Sequence, residues 1–291
     1  MPGIREKLGH ALFLKVAGPD GAKHRDRIHG TPGERWFEPG SPIGRVHGDA
    51  AMFVGGLRAV LLQTLHPKAM RAVAEHSGYR GDMWGRLART SRFLAVTTFG
   101  TADDAQQAVD IVRSIHVRVT GTMDDGTSYS ADDPHLLLWV HVAEIESFLL
   151  AHQTYGAEPL DQAGRDEYVA QTAEIARRLG VVDPPTTEAG LAEVMASFRP
   201  ELRVTPEARE AVSHLVWRPA LPIPARPAYG VLVAAAVGMM PAWTRRPLRL
   251  PWLPVSGPVV TRTLGTLATA TIRWALTPPP AASLRSGEAR V

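Results

Sequence analysis

Apolar residues recur at helical spacing along most of this 291-residue chain, and strand-like alternation is nearly absent. The pattern predicts an all-α fold. Asp49 to about Leu65 reads as an apolar, glycine-containing helix. A second runs from Pro67 to about His76 with proline in its first turn, and Asp82 can cap a third that ends near Phe99 at Gly100. Asp103 or Asp104 starts a fourth, expected to reach about Gly121, with a turn at Met123–Gly126 behind it. Asp133 and Pro134 then open another: the carboxylate can cap free N–H groups and proline fits the first turn. Along it Leu137, Leu138, His141, Ile145, Phe148 and Leu149 fall on or near one face. Further helices are expected at about 161–179, 188–199 and 206–216.

The two ends break this regularity. Residues 1–45 read as a short amphipathic helix and a Gly/Pro-rich lead-in wrapped on the surface. A helical core at 46–217 follows, closed by the proline-rich run Arg218–Pro227, which cannot be helical throughout. Residues 218–277 are then a linker with C-terminal helices, and 278–291 a disordered tail. Within that extension, Ala228–Met240 is thirteen uncharged residues between Pro227 and Pro241. A bilayer span takes about 20 residues, so this stretch is a buried helix or an interfacial one.

Composition narrows the chemistry. With 45% apolar and 21% charged residues the chain is an ordinary globular one. It has no cysteine, so thiolate metal sites, disulfides and cysteine nucleophiles are excluded, and a metal must use His, carboxylate, Tyr or Met. No signal peptide is evident, because Lys15 interrupts the short apolar run at Ala11–Gly18; a cytoplasmic protein is expected. From Arg218 onward there are nine arginines and one acid, Glu288, a balance of +8; against the overall +3, the first 217 residues carry −5. This basic end lacks any nucleic-acid reader motif, and with Trp243, Trp252 and Trp274 interspersed, residues 228–276 suit peripheral contact with anionic lipid. Phosphate-loop, hydrolase-elbow and dinucleotide motifs are missing, as are the His spacings of zincins and di-iron bundles.

His141 is the one metal-competent group on an otherwise apolar stripe, and periodicity alone allows either a haem-iron ligand or a core histidine bonded to a carbonyl. Arg86, Arg89 and Thr90 share one helical face at i, i+3 and i+4, which could equally be a solvated basic face with Arg92. His66, just before Pro67, is either a helix cap or a pocket residue. His116, on a face with Val109, Val112 and Val119, is the rival for a metal ligand, whereas His135, His152 and His214 read as surface histidines.

Gly48–Arg58, Leu61–Pro67, the Arg86–Thr90 helix and Tyr129–His141, in that order over roughly residues 40 to 250, resemble the family of the oxygenase MpaB and the rubber oxygenase called latex clearing protein. The resemblance implies a single all-α domain, distantly globin-like, holding haem b with its iron. Characterised relatives cleave an isoprenoid double bond with dioxygen. It further implies His141 as axial ligand and places Arg86, Arg89 and Thr90 on the oxygen side, where Arg89 stands in place of the lysine of the rubber-oxygenase branch. Arginine stays charged, so it is unsuited to ligating iron itself. The expected activity is a haem oxygenase acting on a hydrophobic small molecule; a non-catalytic haem carrier, sensor or store is the alternative.

Overall fold

Asp133 accepts the backbone N–H of His135 at 2.9 Å, and Pro134 follows it to open α8 (Pro134–Tyr155), the longest helix among the described residues. A computed structural model describes residues 4–78, 81–251 and 257–276. Twelve of the 22 residues of α8 are buried, from Leu136 to Tyr155, so this is a core helix. Among the described residues it is also the only one long and apolar enough to cross a membrane; its burial within the protein accounts for that composition.

The elements preceding α8 are α1 (Ile4–Ala17), α2 (Gly21–Gly30), α3 (Pro42–His47), α4 (Met52–Gln63), α5 (Pro67–His76), α6 (Met83–Phe99) and α7 (Ala102–His116), then strands β1 (Thr120–Thr122) and β2 (Ser128–Ser130). After it come α9 (Gln162–Leu179), α10 (Glu188–Ser197), α11 (Pro206–Val212), α12 (Arg226–Gly238), α13 (Ala242–Arg245) and α14 (Gly257–Leu276). Side-chain caps explain many of the starts: Asp82, Thr101, Asp161, Thr187 and Thr205 each accept a backbone N–H two or three residues into their helix. Gly180 closes α9 in the left-handed conformation, φ 104°.

The most extensive packing among the described residues joins α4 to α8. A Cβ added to Gly55 would lie 3.1 Å from the Phe148 ring and 3.2 Å from Ala151, so only glycine lets the backbones come this close. One large apolar cluster, from Ile43 through Trp139, Val142, Tyr168 and Phe198 to Leu250, runs through the protein. Helices α12 and α14 pack on each other; α12 also packs on α4, and α14 on α8. The result is an all-α fold.

Two expectations are corrected and one alternative is decided. Helix α7 stops at His116 rather than near Gly121, because the β-branched Val117, Val119 and Thr120 lead into a two-stranded hairpin around the Met123–Gly126 turn. The N-terminal lead-in contains two helices, α2 and α3, and α3 is part of the core through Ile43 and Val46, both fully buried. Of the two readings of Ala228–Met240, the buried helix holds: Val233, Ala235, Ala236, Val237 and Met240 are all buried. The tail from residue 278 and Trp252 lie outside the described residues.

Candidate functional site

Helix α6 packs on α7, α1, α3 and α2. Its only buried residues are Thr97 and Thr98, at its C-terminal end. Met83, Phe93 and Leu94 border the main core together with Leu138 of α8, yet each stays half-buried. These side chains, three from α6 and one from α8, all pack against the main core.

Polar groups collect at the C-terminal end of α6. His47, from α3, bonds through Nδ1 to the Thr98 hydroxyl at 2.8 Å and through Nε2 to the Tyr168 hydroxyl at 3.3 Å. Its ring sits edge-on to both Phe148 and Tyr168. Burial drives its pKa down to about 3. Burial also pushes the Glu144 carboxyl up to about 7 and raises Tyr168, which the Glu144 charge raises further. Glu144 follows His141 by nearly one turn of α8. His141 is desolvated in the same way, with a pKa lowered to about 4, and its Nε2 is enclosed with no hydrogen-bond partner.

Arg86 lies toward the other end of α6. It is half-buried, burial lowers its pKa, and its one bond is a long one of 3.4 Å to the Ser77 hydroxyl. A desolvated guanidinium without a carboxylate partner among the described residues suits an anionic ligand group. Arg89 and Thr90 are exposed, and Arg89 pairs with Asp82 at 3.3 Å. His116 ends α7, the antiparallel neighbour of α6, so it stands at the Arg86 end of that hairpin; its Nδ1 is also enclosed and without a partner.

His66 lies elsewhere. It is 3% exposed, caps α5 by accepting the Ala69 N–H, and faces Trp139, which is about 200° around α8 from His141. His135 is exposed and bonds to Glu201, and His214 is half-buried and bonds to the Glu210 carbonyl. His152 corrects the surface expectation: it is 2% exposed, because its position continues the Ile145–Phe148–Leu149 face of α8. The residues that sequence reasoning missed are His47, Thr98 and Tyr168. No spacing rule could join them, since the bonds span 51 and 121 positions.

Residues 44–274 match the family model described as the ER-bound oxygenase mpaB/B'/rubber oxygenase catalytic domain. The chain belongs to this family. The uncharacterized protein Rv2237 of Mycobacterium tuberculosis is 28% identical over 201 residues, covering 66% of this chain and 78% of its own length. The uncharacterized protein Mb2261 of Mycobacterium bovis matches to the same extent. No solved structure matches the chain. An oxygenase needs a centre that handles dioxygen, and the family points to a metal or haem group. The residues present fit a haem: in a chain without cysteine, an enclosed imidazole nitrogen with no partner is the donor a haem iron takes.

Proposed function

We propose that this chain is a haem b-dependent oxygenase that uses dioxygen on a hydrophobic, isoprenoid- or alkene-like substrate, by oxidative cleavage of a carbon–carbon double bond. The observation that carries this reading is the enclosed, unpartnered Nε2 of His141 on the central helix of an oxygenase-family chain. Bound haem would supply an iron centre able to activate dioxygen.

The protein's own groups then divide the work. Burial keeps His141 neutral, the form that ligates iron. His116 is the second candidate for that role, favoured by its own enclosed Nδ1. Arg86 offers a desolvated positive charge to an anionic group, a haem propionate or a developing oxyanion, with Arg89 and Thr90 at the rim. Glu144, with its pKa near neutrality, can hold or release a proton at its carboxyl. Met83, Phe93, Leu94 and Leu138 keep the space apolar and exclude water from the reacting partners. His66 takes no part in this arrangement.

The second component of the proposal is a place of action at an anionic membrane surface. Val260, Leu264, Leu267 and Trp274 form an exposed apolar stripe on α14, at spacings of four, three and seven, in the basic C-terminal part of the chain. Such a surface brings the enzyme to where apolar substrates dissolve.

The experiment is an oxygen-uptake assay on iron-replete, haem-loaded protein with polyisoprenoid or terpenoid alkenes. Oxygen consumption with release of carbonyl products supports the oxygenase. Bound haem without uptake would instead indicate a carrier, sensor or store.

A further inference from the structure

Three segments that are distant in sequence converge beside the N-terminus of α8, on the side away from His141. His66 sits at the α4–α5 junction, His135 is the second residue of α8, and Glu201 lies in the loop after α10. His66 Nε2 is 3.3 Å from one Glu201 carboxylate oxygen, and His135 Nε2 is 2.9 and 3.0 Å from the two. One ligand atom from each of the three residues lies within 4.8 Å of the others. We propose that His66, His135 and Glu201 form a binding site for a divalent transition-metal ion of the zinc type, separate from His141.

The donor set decides the class of ion. Two imidazoles and one carboxylate suit zinc, cobalt, nickel or ferrous iron, whereas calcium and magnesium require shells made mainly of oxygen. Zinc–ligand bonds of about 2.0–2.2 Å put tetrahedral ligand atoms roughly 3.4 Å apart. The imidazole–carboxylate separations of 2.9–3.3 Å need only a slight lengthening, and the widest separation, within 4.8 Å, a contraction of little more than 1 Å.

The site is also built rather than accidental. The Phe198 ring packs 4.6 Å from His135, 5.2 Å from Trp139 and 6.4 Å from His66, so the imidazoles are held by aromatic packing. The Arg203 N–H donates to the Leu65 carbonyl at 2.9 Å, which pins the Glu201 loop to the residue preceding His66. Side chains locked this way lose little freedom on ligation. Protonation is favourable too. Burial lowers the His66 pKa more than its Glu201 contacts raise it, leaving a neutral imidazole. Burial raises the Glu201 carboxyl, but hydrogen bonds from His135 and His66 outweigh that and hold it below its ordinary value.

Local hydrogen bonds must yield, first those from His66 and His135 Nε2 to Glu201, which metal bonds replace. His66 Nδ1 accepts from Ala69, so the ring proton sits on Nε2; ligation through Nε2 requires it to move to Nδ1. The bond lost is 3.5 Å long, at the limit of significance. The three groups open onto a pocket of about 310 Å³ that Asp125, Asp133, Lys68 and Arg203 also line. Three protein ligands facing an open pocket leave a fourth position for water or a substrate oxygen, the pattern of catalytic rather than structural zinc sites.

The test uses untagged full-length protein stripped with a chelator, then titrated with cobalt(II) and zinc(II) by calorimetry and visible spectroscopy. The proposal expects one saturable site, with cobalt d–d absorption that zinc quenches. His135→Ala and Glu201→Gln, both at exposed positions, should weaken binding at least about tenfold while keeping the thermal melt; His141→Ala should leave it unchanged. Absence of saturable binding in the wild-type protein, or equal binding in both site variants, overturns it.

Discussion

The guanidinium of Arg58 on α4 grips the carboxylate of Glu146 on α8 with both terminal nitrogens, one bond measuring 3.1 Å. The arginine side chain is 3% exposed, and its remaining donors reach the Ser147 hydroxyl at 2.6 Å and the Met239 carbonyl at 3.0 Å. One side chain therefore ties α4, α8 and the end of α12 together, and α8 carries Glu144 two residues and His141 five residues before Glu146.

Removing that clamp should be costly. Arg58→Ala leaves a carboxylate and a carbonyl without partners and is expected to destabilise by about 3–5 kcal/mol. Chemical denaturation reads this directly. A loss below about 1 kcal/mol would mean the pair contributes little beyond its own desolvation.

Gly55 and Gly56 make an internal control. A Cβ at Gly56 meets nothing within 4 Å, so Gly56→Ala should stabilise α4 by up to about 1 kcal/mol through helix propensity. Gly55→Val drives methyl groups into Phe148 and Ala151 and should destabilise by about 1–3 kcal/mol. Equal effects at the two positions would show that the close approach of α4 to α8 is absent.

The outline of this fold was legible because most helix starts are local: Asp82, Asp133 and Asp161 cap from within three residues of the groups they satisfy. The β-hairpin was not, since Val117 and Val119 continue the apolar period of α7 and Ser128–Ser130 carries little strand preference by itself. At the candidate site, His141 could be singled out from its stripe. The groups around it could not: His47 belongs to a six-residue helix in a glycine- and proline-rich region, and its partners come from α6 and α9. The convergence of His66, His135 and Glu201 is likewise a product of tertiary packing.

His47 sets an expected pH dependence. Its folded pKa, about 3, lies below the ordinary 6.5, so the folded state binds fewer protons than the unfolded chain. Its contribution is therefore complete above pH 6.5 and is lost as pH falls from 6.5 toward about 3, by up to about 1.4 kcal/mol per pH unit. His47→Gln should flatten the acid limb of the stability profile between pH 6 and 4. An unchanged limb would place the titrating proton elsewhere.

Membrane contact, if α14 provides it, should respond to both charge and surface hydrophobicity. Each arginine near an anionic surface contributes about 1 kcal/mol, screened by salt. Cosedimentation with phosphatidylserine vesicles should be strong at low salt, weak at high salt, and reduced in Leu264→Glu/Leu267→Glu. Binding indifferent to lipid charge, or none at low salt, contradicts this placement.

The central claim is a haem held by an enclosed imidazole. Its most direct measurement is the Soret absorbance and haem content of protein from iron-replete cells, compared among the wild type, His141→Ala and His116→Ala. The account predicts a stoichiometric Soret band in the wild type that His141→Ala abolishes with its helical circular dichroism intact, while His116→Ala keeps most of it. Loss in His116→Ala alone would move the ligand to α7, and a colourless wild-type protein that takes up no added haem would contradict the account altogether.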